Sequence, residues 1–208
     1  MLHPQVSRDL LALKAAAEQA GMNLCIASGF RSFERQQLIW NSKMSGQRES
    51  LDIHGQPVDL ATLSERDKIA TVLLWSALPG TSRHHWGSDF DLYDANATSA
   101  EQPLQLTQQE YLSGDQHVFF SWLRTQAPRF GFFFPFDGTH SGYQFEPWHI
   151  SHLATWHKIK AQLTPQSLYQ LINQQSVLGF KSIANEFDRI YTDYVLAVNE
   201  GDLDGIFD

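Results

Sequence analysis

The sequence predicts an α+β fold, in which a small and mostly antiparallel sheet is flanked by helices and followed by a helical C-terminal extension. Two observations carry this prediction. Segments whose apolar residues recur at helical spacing alternate with short apolar strands, and glycine or proline separates them. The 208 residues are 42% hydrophobic and 18% charged, a composition typical of a globular chain and unlike a coiled coil or a disordered segment.

Local signals predict a helix, a strand and a second helix at the start of the chain. Pro4 suits the first turn of a helix whose apolar residues continue at helical spacing to a C-terminal cap at Gly21. Residues 23–28 (NLCIAS) are a short apolar run, which predicts a strand. Ser32 can then cap the second helix.

A hairpin, a third helix and a second strand are predicted next. Residues 51–60 suit a small hairpin, and residues 64–77 carry a capping serine and an apolar helix face. Residues 88–93 (SDFDLY) alternate between polar and apolar side chains, which predicts a strand. On such a strand Asp89 and Asp91 share one face.

The last part of the chain predicts mainly helices. Residues 116–127 carry a helical apolar pattern, and residues 148–151 form a short strand after a proline. From residue 152 onward the pattern is helical.

The helical pattern and the charge distribution divide the chain into two parts. We expect one domain over residues 1–160, and a helical acidic extension over residues 161–208 that packs on it. Residues 185–208 contain seven acidic residues and one basic residue, which gives −6 of the net charge of −8. An acidic chain of this kind is not expected to bind nucleic acid.

Cysteine content and hydropathy exclude a disulfide-stabilised protein and argue against a membrane-spanning one. Cys25 is the only cysteine, so an internal disulfide framework is excluded. The sequence contains no run of 18 apolar residues, so no membrane span is expected. The first 20 residues lack the basic start and apolar core of a secretory signal, which predicts a cytoplasmic protein; a truncated N-terminus would also be compatible with the periplasm. The sequence does not indicate an oligomeric state.

Histidines and carboxylates in three short stretches point to a metal centre. His84 and Asp91 flank Gly87, which allows a turn and a strand to return Asp91 to His84. His149 can supply a third ligand, and Glu146 lies three residues before it. Catalytic zinc takes three such ligands and leaves one position open for water, whose proton a nearby carboxylate can accept. Any one of these histidines alone is more typical of a surface or core residue.

The order of these residues resembles a known family. The motif Ser82-x-His84-x-x-Gly87-x-x-x-Asp91, followed by Glu146-x-Trp148-His149, is similar to that of the VanY-like D-alanyl-D-alanine carboxypeptidases. They belong to the LAS group of zinc peptidases, named for lysostaphin, D-Ala-D-Ala metallopeptidases and sonic hedgehog. The upstream stretch Ser28-Gly29-Phe30-Arg31-Ser32, with Gln36, resembles the substrate motif of that family. The resemblance covers residues 5–155.

The resemblance implies a zinc-dependent peptidase that acts on a peptidoglycan stem peptide or muropeptide and releases a C-terminal D-alanine. It implies one zinc ion, Glu146 as the general base and acid, and Arg31 as the group that holds the oxyanion or the terminal carboxylate. The remaining implied roles are His84, Asp91 and His149 as zinc ligands, and Ser82 and Gln36 as substrate contacts. An endopeptidase of the same group and a non-catalytic zinc-binding module remain alternatives.

Two residues next to the predicted ligands have more than one interpretation. Asp89 stands where many relatives carry a small apolar residue; it can accept a hydrogen bond from a ligand histidine or face a solvated edge of the site. His85 is adjacent to His84 and could be mistaken for the ligand, but the family motif selects His84. A packing or surface role is the expectation for His85.

Overall fold

A four-stranded antiparallel sheet in the order β1-β4-β6-β5 forms the centre of the computed structural model, which describes residues 3–201. The strands are β1 (Leu24–Ser28), β2 (Ser50–Leu51), β3 (Pro57–Val58), β4 (Asp89–Asp94), β5 (Phe132–Phe133) and β6 (His149–His152). The helices are α1 (Pro4–Gln19), α2 (Phe33–Met44), α3 (Glu65–Leu73), α4 (Gln108–Leu112), α5 (His117–Gln126), α6 (Leu153–Lys160), α7 (Pro165–Asn173), α8 (Phe180–Asn185) and α9 (Phe187–Ile190). The predicted α+β class is therefore confirmed.

The register of the sheet places the chemically important residues side by side. Asp91 on β4 lies opposite His149 on β6 and opposite Ser28 on β1. Asp89 lies opposite Ser151. Because side chains alternate along a strand, Asp89 and Asp91 project from the same face of the sheet, beside His149.

Two apolar cores hold the sheet. The first lies under α1, α4 and α5; it includes Val6, Leu10, Leu13, Phe90, Leu92, Phe119, Leu123 and Ile150. The second joins α2 and α3 to the C-terminal helices; it includes Trp40, Leu73, Trp156, Ile172, Ile183, Phe187 and Ile190. The described C-terminal helices thus share a core with the N-terminal half of the chain.

Most predicted elements agree with the structure. Pro4 starts α1, Gly21 follows its end with φ 80°, and the side chain of Ser32 caps α2. The predicted hairpin is the β2–β3 pair. His152, the other histidine of β6, turns to Asp9 with its Nε2 3.0 Å from Oδ2.

The structure differs from the prediction at α3, α4 and β5. No element was predicted where α4 (Gln108–Leu112) lies. Helix α3 ends at Leu73, before Ala77, because the backbone N–H groups of Leu74 and Trp75 bond three residues back and close the helix. Strand β5 was not predicted, since two residues between Gly131 and Pro135 are too short to show an alternating pattern.

The C-terminal extension is described only to residue 201. Asp202, Asp204 and Asp208 of the predicted acidic segment lie outside the described residues. The boundary at residue 160 stays a prediction. Within residues 3–201, no helix combines the length and apolar character that crossing a bilayer requires.

Candidate metal centre and active site

His84, Asp91 and His149 converge on one buried point. His84 lies in a short 3-10 turn, and Gly87, with φ 66°, ends this turn before the chain enters β4. A positive φ is the conformation that glycine adopts without strain, which explains Gly87 at this bend. His84 Nε2 is 3.4 Å from Asp91 Oδ2, and His149 Nδ1 is 3.1 Å from Asp91 Oδ1. One potential ligand atom from each residue lies within 4.8 Å of the others.

These three side chains fit a metal ion. Two of the atoms that meet at this point, Asp91 Oδ1 and His149 Nδ1, are buried and have no well-aligned hydrogen-bond partner among residues 3–201. Such atoms are costly in a protein interior unless something binds them. Two imidazoles and one carboxylate are the donor set that zinc prefers when one position stays open.

Two carboxylates control the charge of His149. Burial alone would lower the pKa of this imidazole, but the neighbouring carboxylates of Asp89 and Asp91 outweigh burial and raise it to about 9. Burial would likewise raise the pKa of Asp91, yet His84 and His149 hold it well below its usual range. The negative potential at this point therefore favours a cation.

Glu146 lies against the same centre. Its backbone N–H donates to the carbonyl of Phe136, and its own carbonyl accepts from the N–H of His149, so the loop before β6 is fixed. Its Oε2 is 3.5 Å from His149 Nδ1, and its side chain is 12% exposed. Burial, together with the charge of Asp91, raises the pKa of Glu146 to about 7 against the opposing charge of His149. A carboxyl with this pKa can accept and return a proton near neutral pH.

Arg31 is fixed on the other side of the centre. Its backbone N–H donates to the carbonyl of His84 at 3.0 Å. Its guanidinium donates to Ser28 Oγ and to Gln36 Oε1, both at 2.8 Å. Burial lowers the pKa of Arg31, and the charges of Asp91 and Glu146 oppose that shift. The remaining guanidinium donors are free to meet an anionic group in the cleft.

The structure places Gln36 in the protein interior, next to Arg31. It is fully buried, its Oε1 accepts from Arg31, and its Nε2 donates to the carbonyl of Ala77 at 2.6 Å. Both ends of the amide are therefore occupied inside the protein. The hydrogen bond to Arg31 points to a positioning role for Gln36, and the predicted substrate contact stays a prediction.

A cleft of about 530 Å³ opens in front of these residues. Ser82, His84, Asp91, His149, Glu146 and Arg31 all line it. Ser82 is buried before the turn that carries His84, and its side chain does not cap that turn. The structure therefore brings together, around one cleft, every sequence-predicted site residue except Gln36.

Comparisons with known proteins agree with this geometry. A family model described as "VanY: D-alanyl-D-alanine carboxypeptidase" matches residues 1–155, about three quarters of the chain. The chain belongs to this family. It is a peptidase of the carboxypeptidase type, and its motifs from Arg31 to His149 all fall inside the matched segment.

One sequence relative and two solved structures are similar to this chain. An uncharacterized protein of Haemophilus influenzae is 31% identical over 122 residues, which cover 57% of this chain and 93% of that protein. The structure of VanYB in complex with D-alanine-D-alanine has a TM-score of 0.54 and 23% identity, and covers 84% of each chain. A mutant of the vancomycin-resistance D,D-pentapeptidase VanY in complex with Zn(II) has the same TM-score and identity, and covers 76% of each chain.

Asp89 adds a second carboxylate beside the metal centre, and the structure explains how it is accommodated. Asp89 is completely buried, so the solvated-edge interpretation is wrong. Its Oδ1 is 3.1 Å from His149 Nε2 and accepts from Arg83 Nε at 2.7 Å, and its Oδ2 accepts from Ser88. Burial would raise the pKa of Asp89, but Arg83 and the hydrogen bond to His149 lower it to about 2.

Arg83 is in turn held by aromatic rings and a serine. Its guanidinium carbon lies 4.1 Å from the ring centre of Trp156 and 4.9 Å from that of Trp86, and its Nη2 donates to Ser151 Oγ. Cation–π contacts of this kind stabilise a buried guanidinium. Trp86 thus has a packing role.

His85 is not directed at the metal centre. The backbone N–H of Gly80 donates to its Nε2, so Nδ1 carries the proton and donates to the carbonyl of Arg31 at 2.7 Å. Burial lowers the pKa of His85, which favours this neutral form. The ring also stacks on Phe33. His85 therefore helps to fix the backbone of Arg31, in line with the expected packing role.

Three cleft residues were missed in the sequence. Phe136 packs its ring 4.8 Å from that of His149, and Tyr143 packs on Phe136. Both lie in a loop rich in aromatic residues, and this composition does not predict which side chains face the cleft. Lys43 also lines the cleft, and the sequence could have indicated this. Lys43 follows Gln36 by seven residues, or two helical turns, so the two residues share one face of α2.

Proposed function

We propose that this protein is a zinc-dependent carboxypeptidase that removes the C-terminal D-alanine from a peptidoglycan stem peptide. The observation that carries the proposal is the convergence of His84, Asp91 and His149, with unpartnered buried atoms, beside Glu146 in one cleft. The family description supports the leaving residue, and two solved structures of similar fold were obtained with D-alanine-D-alanine and with Zn(II).

His84, Asp91 and His149 would hold the zinc ion. When bound, zinc acts as a Lewis acid on the scissile carbonyl and makes water a stronger nucleophile at neutral pH. Asp89 accepts from His149 Nε2, which leaves Nδ1 of the same ring for the metal. Metal-binding histidines commonly have a carboxylate partner of this kind, which fixes the ring orientation.

Glu146 moves the proton. In the proposed reaction its carboxylate takes a proton from the attacking water as the oxygen bonds to the scissile carbonyl carbon. When the C–N bond breaks, the same carboxyl gives that proton to the leaving amine. A raised pKa near 7 suits both transfers, since the group must accept and release the proton at a similar pH.

Arg31 stabilises the negative charge that develops on the carbonyl oxygen. Its guanidinium is held by Ser28 and Gln36 before substrate arrives, so little reorganisation is needed during the reaction. Fixed donors aimed at a developing oxyanion are among the strongest contributions to catalysis. Ser82, on the cleft wall beside His84, is placed to contact the peptide.

Mass spectrometry of muropeptides tests the proposal. Zinc-loaded protein incubated with a stem peptide that ends in D-alanyl-D-alanine should give the peptide shortened by one D-alanine. The Glu146→Gln protein, loaded in the same way, is the matched control and should leave the peptide intact. Fragments cut inside the stem peptide would replace the carboxypeptidase assignment with endopeptidase activity, and an unchanged peptide would contradict both.

A further inference from the structure

One wall of the cleft carries three basic residues without acidic partners. Lys43 at the end of α2 and Arg48 in the following loop line the cleft together with Arg31. Across residues 3–201, no carboxylate lies within 4 Å of the charged nitrogens of these three side chains.

Lys43 is held in an unfavourable position for a cation. It is half-buried, and within the described part of the chain its ammonium makes neither a hydrogen bond nor an ion pair. Burial and the neighbouring charge of Arg48 lower its pKa to about 8, although Glu146 and Glu49 oppose that shift. Because this ammonium has no acidic partner among the described residues and lines a cleft together with Arg31 and Arg48, an anionic group of a ligand can provide the missing negative charge.

The position of Lys43 near Glu146 indicates which group of the substrate provides this negative charge. The two side chains are close enough to affect each other's pKa. In the proposed reaction Glu146 returns its proton to the amine of the leaving residue. In an amino acid that nitrogen is only about 2.5 Å from the carboxylate carbon, because a single Cα separates them. A terminal carboxylate must therefore lie within a few ångströms of the groups that surround Glu146.

The charges of Arg31 and Lys43 both act on Glu146. Arg31 is tied to Ser28 and Gln36, and in the proposed reaction it binds the oxyanion of the scissile carbonyl. Lys43 keeps all three ammonium donors and a flexible stem available on the cleft wall. The two cations can thus bind different groups of one substrate.

We propose that Lys43, assisted by Arg48, binds the free C-terminal carboxylate of the substrate. This inference rests on the proposed function. Recognition of the terminal carboxylate distinguishes a carboxypeptidase from an endopeptidase, and the inference assigns that recognition to Lys43. Arg31 is left to the oxyanion. A substrate without a terminal negative charge would leave Lys43 buried and unpaired in the complex, and it would bind poorly for that reason.

The proposal is tested by removing the charge of Lys43 and the terminal charge of the substrate, separately and together. The probes are N-acetyl-lysyl-D-alanyl-D-alanine with a free C-terminus and the same peptide with a C-terminal amide. The ratio of kcat/KM for acid over amide should be at least about 10 in the native protein, the equivalent of about 1.4 kcal/mol. In Lys43→Met, which keeps the apolar stem and removes the charge, the ratio should fall about tenfold. An unchanged ratio in Lys43→Met overturns the proposal.

Measurements of peptide binding test the role of Lys43 independently of the proposed peptidase activity. In the zinc-loaded Glu146→Gln background, calorimetry should show tighter binding of the acid than of the amide, and adding Lys43→Met should abolish the difference. Selective binding that depends on Lys43, without turnover by the native protein, would support carboxylate recognition and overturn only the proposed peptidase activity. Equal binding of both peptides, or binding of neither, overturns the role of Lys43.

Two controls exclude a folding effect. Lys181→Met removes an exposed charge from α8 and should leave the acid-to-amide ratio unchanged. The melting temperature of Lys43→Met should equal or exceed that of the native protein, because the substitution removes an unpaired half-buried cation. A change of ratio in Lys181→Met as large as that in Lys43→Met would assign the effect to net charge and contradict a specific site.

Discussion

Asp89 Oδ1 lies 3.1 Å from His149 Nε2 and 2.7 Å from Arg83 Nε, so one buried carboxylate joins a candidate metal ligand to a buried guanidinium. The carboxylate gives His149 a fixed hydrogen-bond partner and directs its other nitrogen toward Asp91. Arg83 compensates the additional negative charge. Both carboxylate oxygens of Asp89 therefore have hydrogen-bond partners within the fold.

Replacing Asp89 should separate its effect on stability from its effect on metal binding. Asp89→Ala leaves Arg83 buried without its partner, which should cost about 3–5 kcal/mol of unfolding free energy. The double variant Arg83→Met with Asp89→Ala removes both charges and should regain much of that stability. Loss of a carboxylate partner of a ligand histidine should still weaken zinc affinity about 10–100-fold in both variants. Chemical denaturation and zinc titration measure the two effects, and native zinc affinity in the double variant would contradict the positioning role.

Loss of a metal ligand should appear in thermal stability as well as in metal content. A ligand that binds only the folded protein stabilises it by about 2.7 kcal/mol at one hundred times its Kd. EDTA should therefore lower the melting temperature of the zinc-loaded native protein, and His149→Ala should show low zinc content and no response to EDTA. His117→Ala, an exposed histidine at the start of α5, is the control and should behave as the native protein. Full zinc occupancy in His149→Ala would remove His149 from the site.

The local part of the site could be predicted from the sequence. His84, Gly87 and Asp91 lie in one turn and strand, and Glu146 and His149 lie three residues apart, so short-range geometry already limits their arrangement. The family resemblance then supplied the pairing of the two segments, which the antiparallel register of β4 and β6 realises.

The supporting contacts could not be predicted in the same way. The bond between Arg83 and Ser151 joins residues 68 positions apart and depends on the register of β4 with β6. The contact of Arg83 with Trp156 depends on how α6 packs after β6. The family resemblance assigned Gln36 to the substrate, but the direction of its amide follows from the tertiary position of Ala77.

Glu146→Gln should retain zinc and lose catalysis. The amide preserves the size of the side chain but cannot accept the proton of the attacking water. Activity on a D-alanyl-D-alanine peptide should fall roughly 10²-fold or more, the usual scale for a general base. Metal analysis of the same preparation provides the control. Loss of zinc together with activity would show that Glu146 is a ligand and would contradict the proposed proton transfer.

Arg31→Lys should impair turnover although the positive charge is kept. The guanidinium of Arg31 donates to Ser28 and Gln36 at the same time, and a lysine ammonium cannot reproduce this planar arrangement. We expect kcat to fall about tenfold or more, the scale reported for loss of one oxyanion donor being about 10²–10³. Zinc content should stay normal. Steady-state kinetics with near-native kcat would leave Arg31 with a structural role only.

The pH dependence of stability should reveal the unfavourable position of Lys43. Its pKa is about 8 in the folded protein against an ordinary value of 10.5, and the charged groups that affect it are Arg48, Arg31, Glu146 and Glu49. Below pH 8 Lys43 is charged in both the folded and unfolded states, so the full cost of burying the ammonium is present. Above pH 10.5 it is neutral in both states and the cost disappears. The stability of the native protein relative to Lys43→Met should therefore rise as pH increases from about 8 to 10.5. Denaturant unfolding of the two proteins across this range, with Lys181→Met as the control, measures the difference; a constant difference would show that the Lys43 ammonium is well solvated and would remove the physical reason for a carboxylate partner.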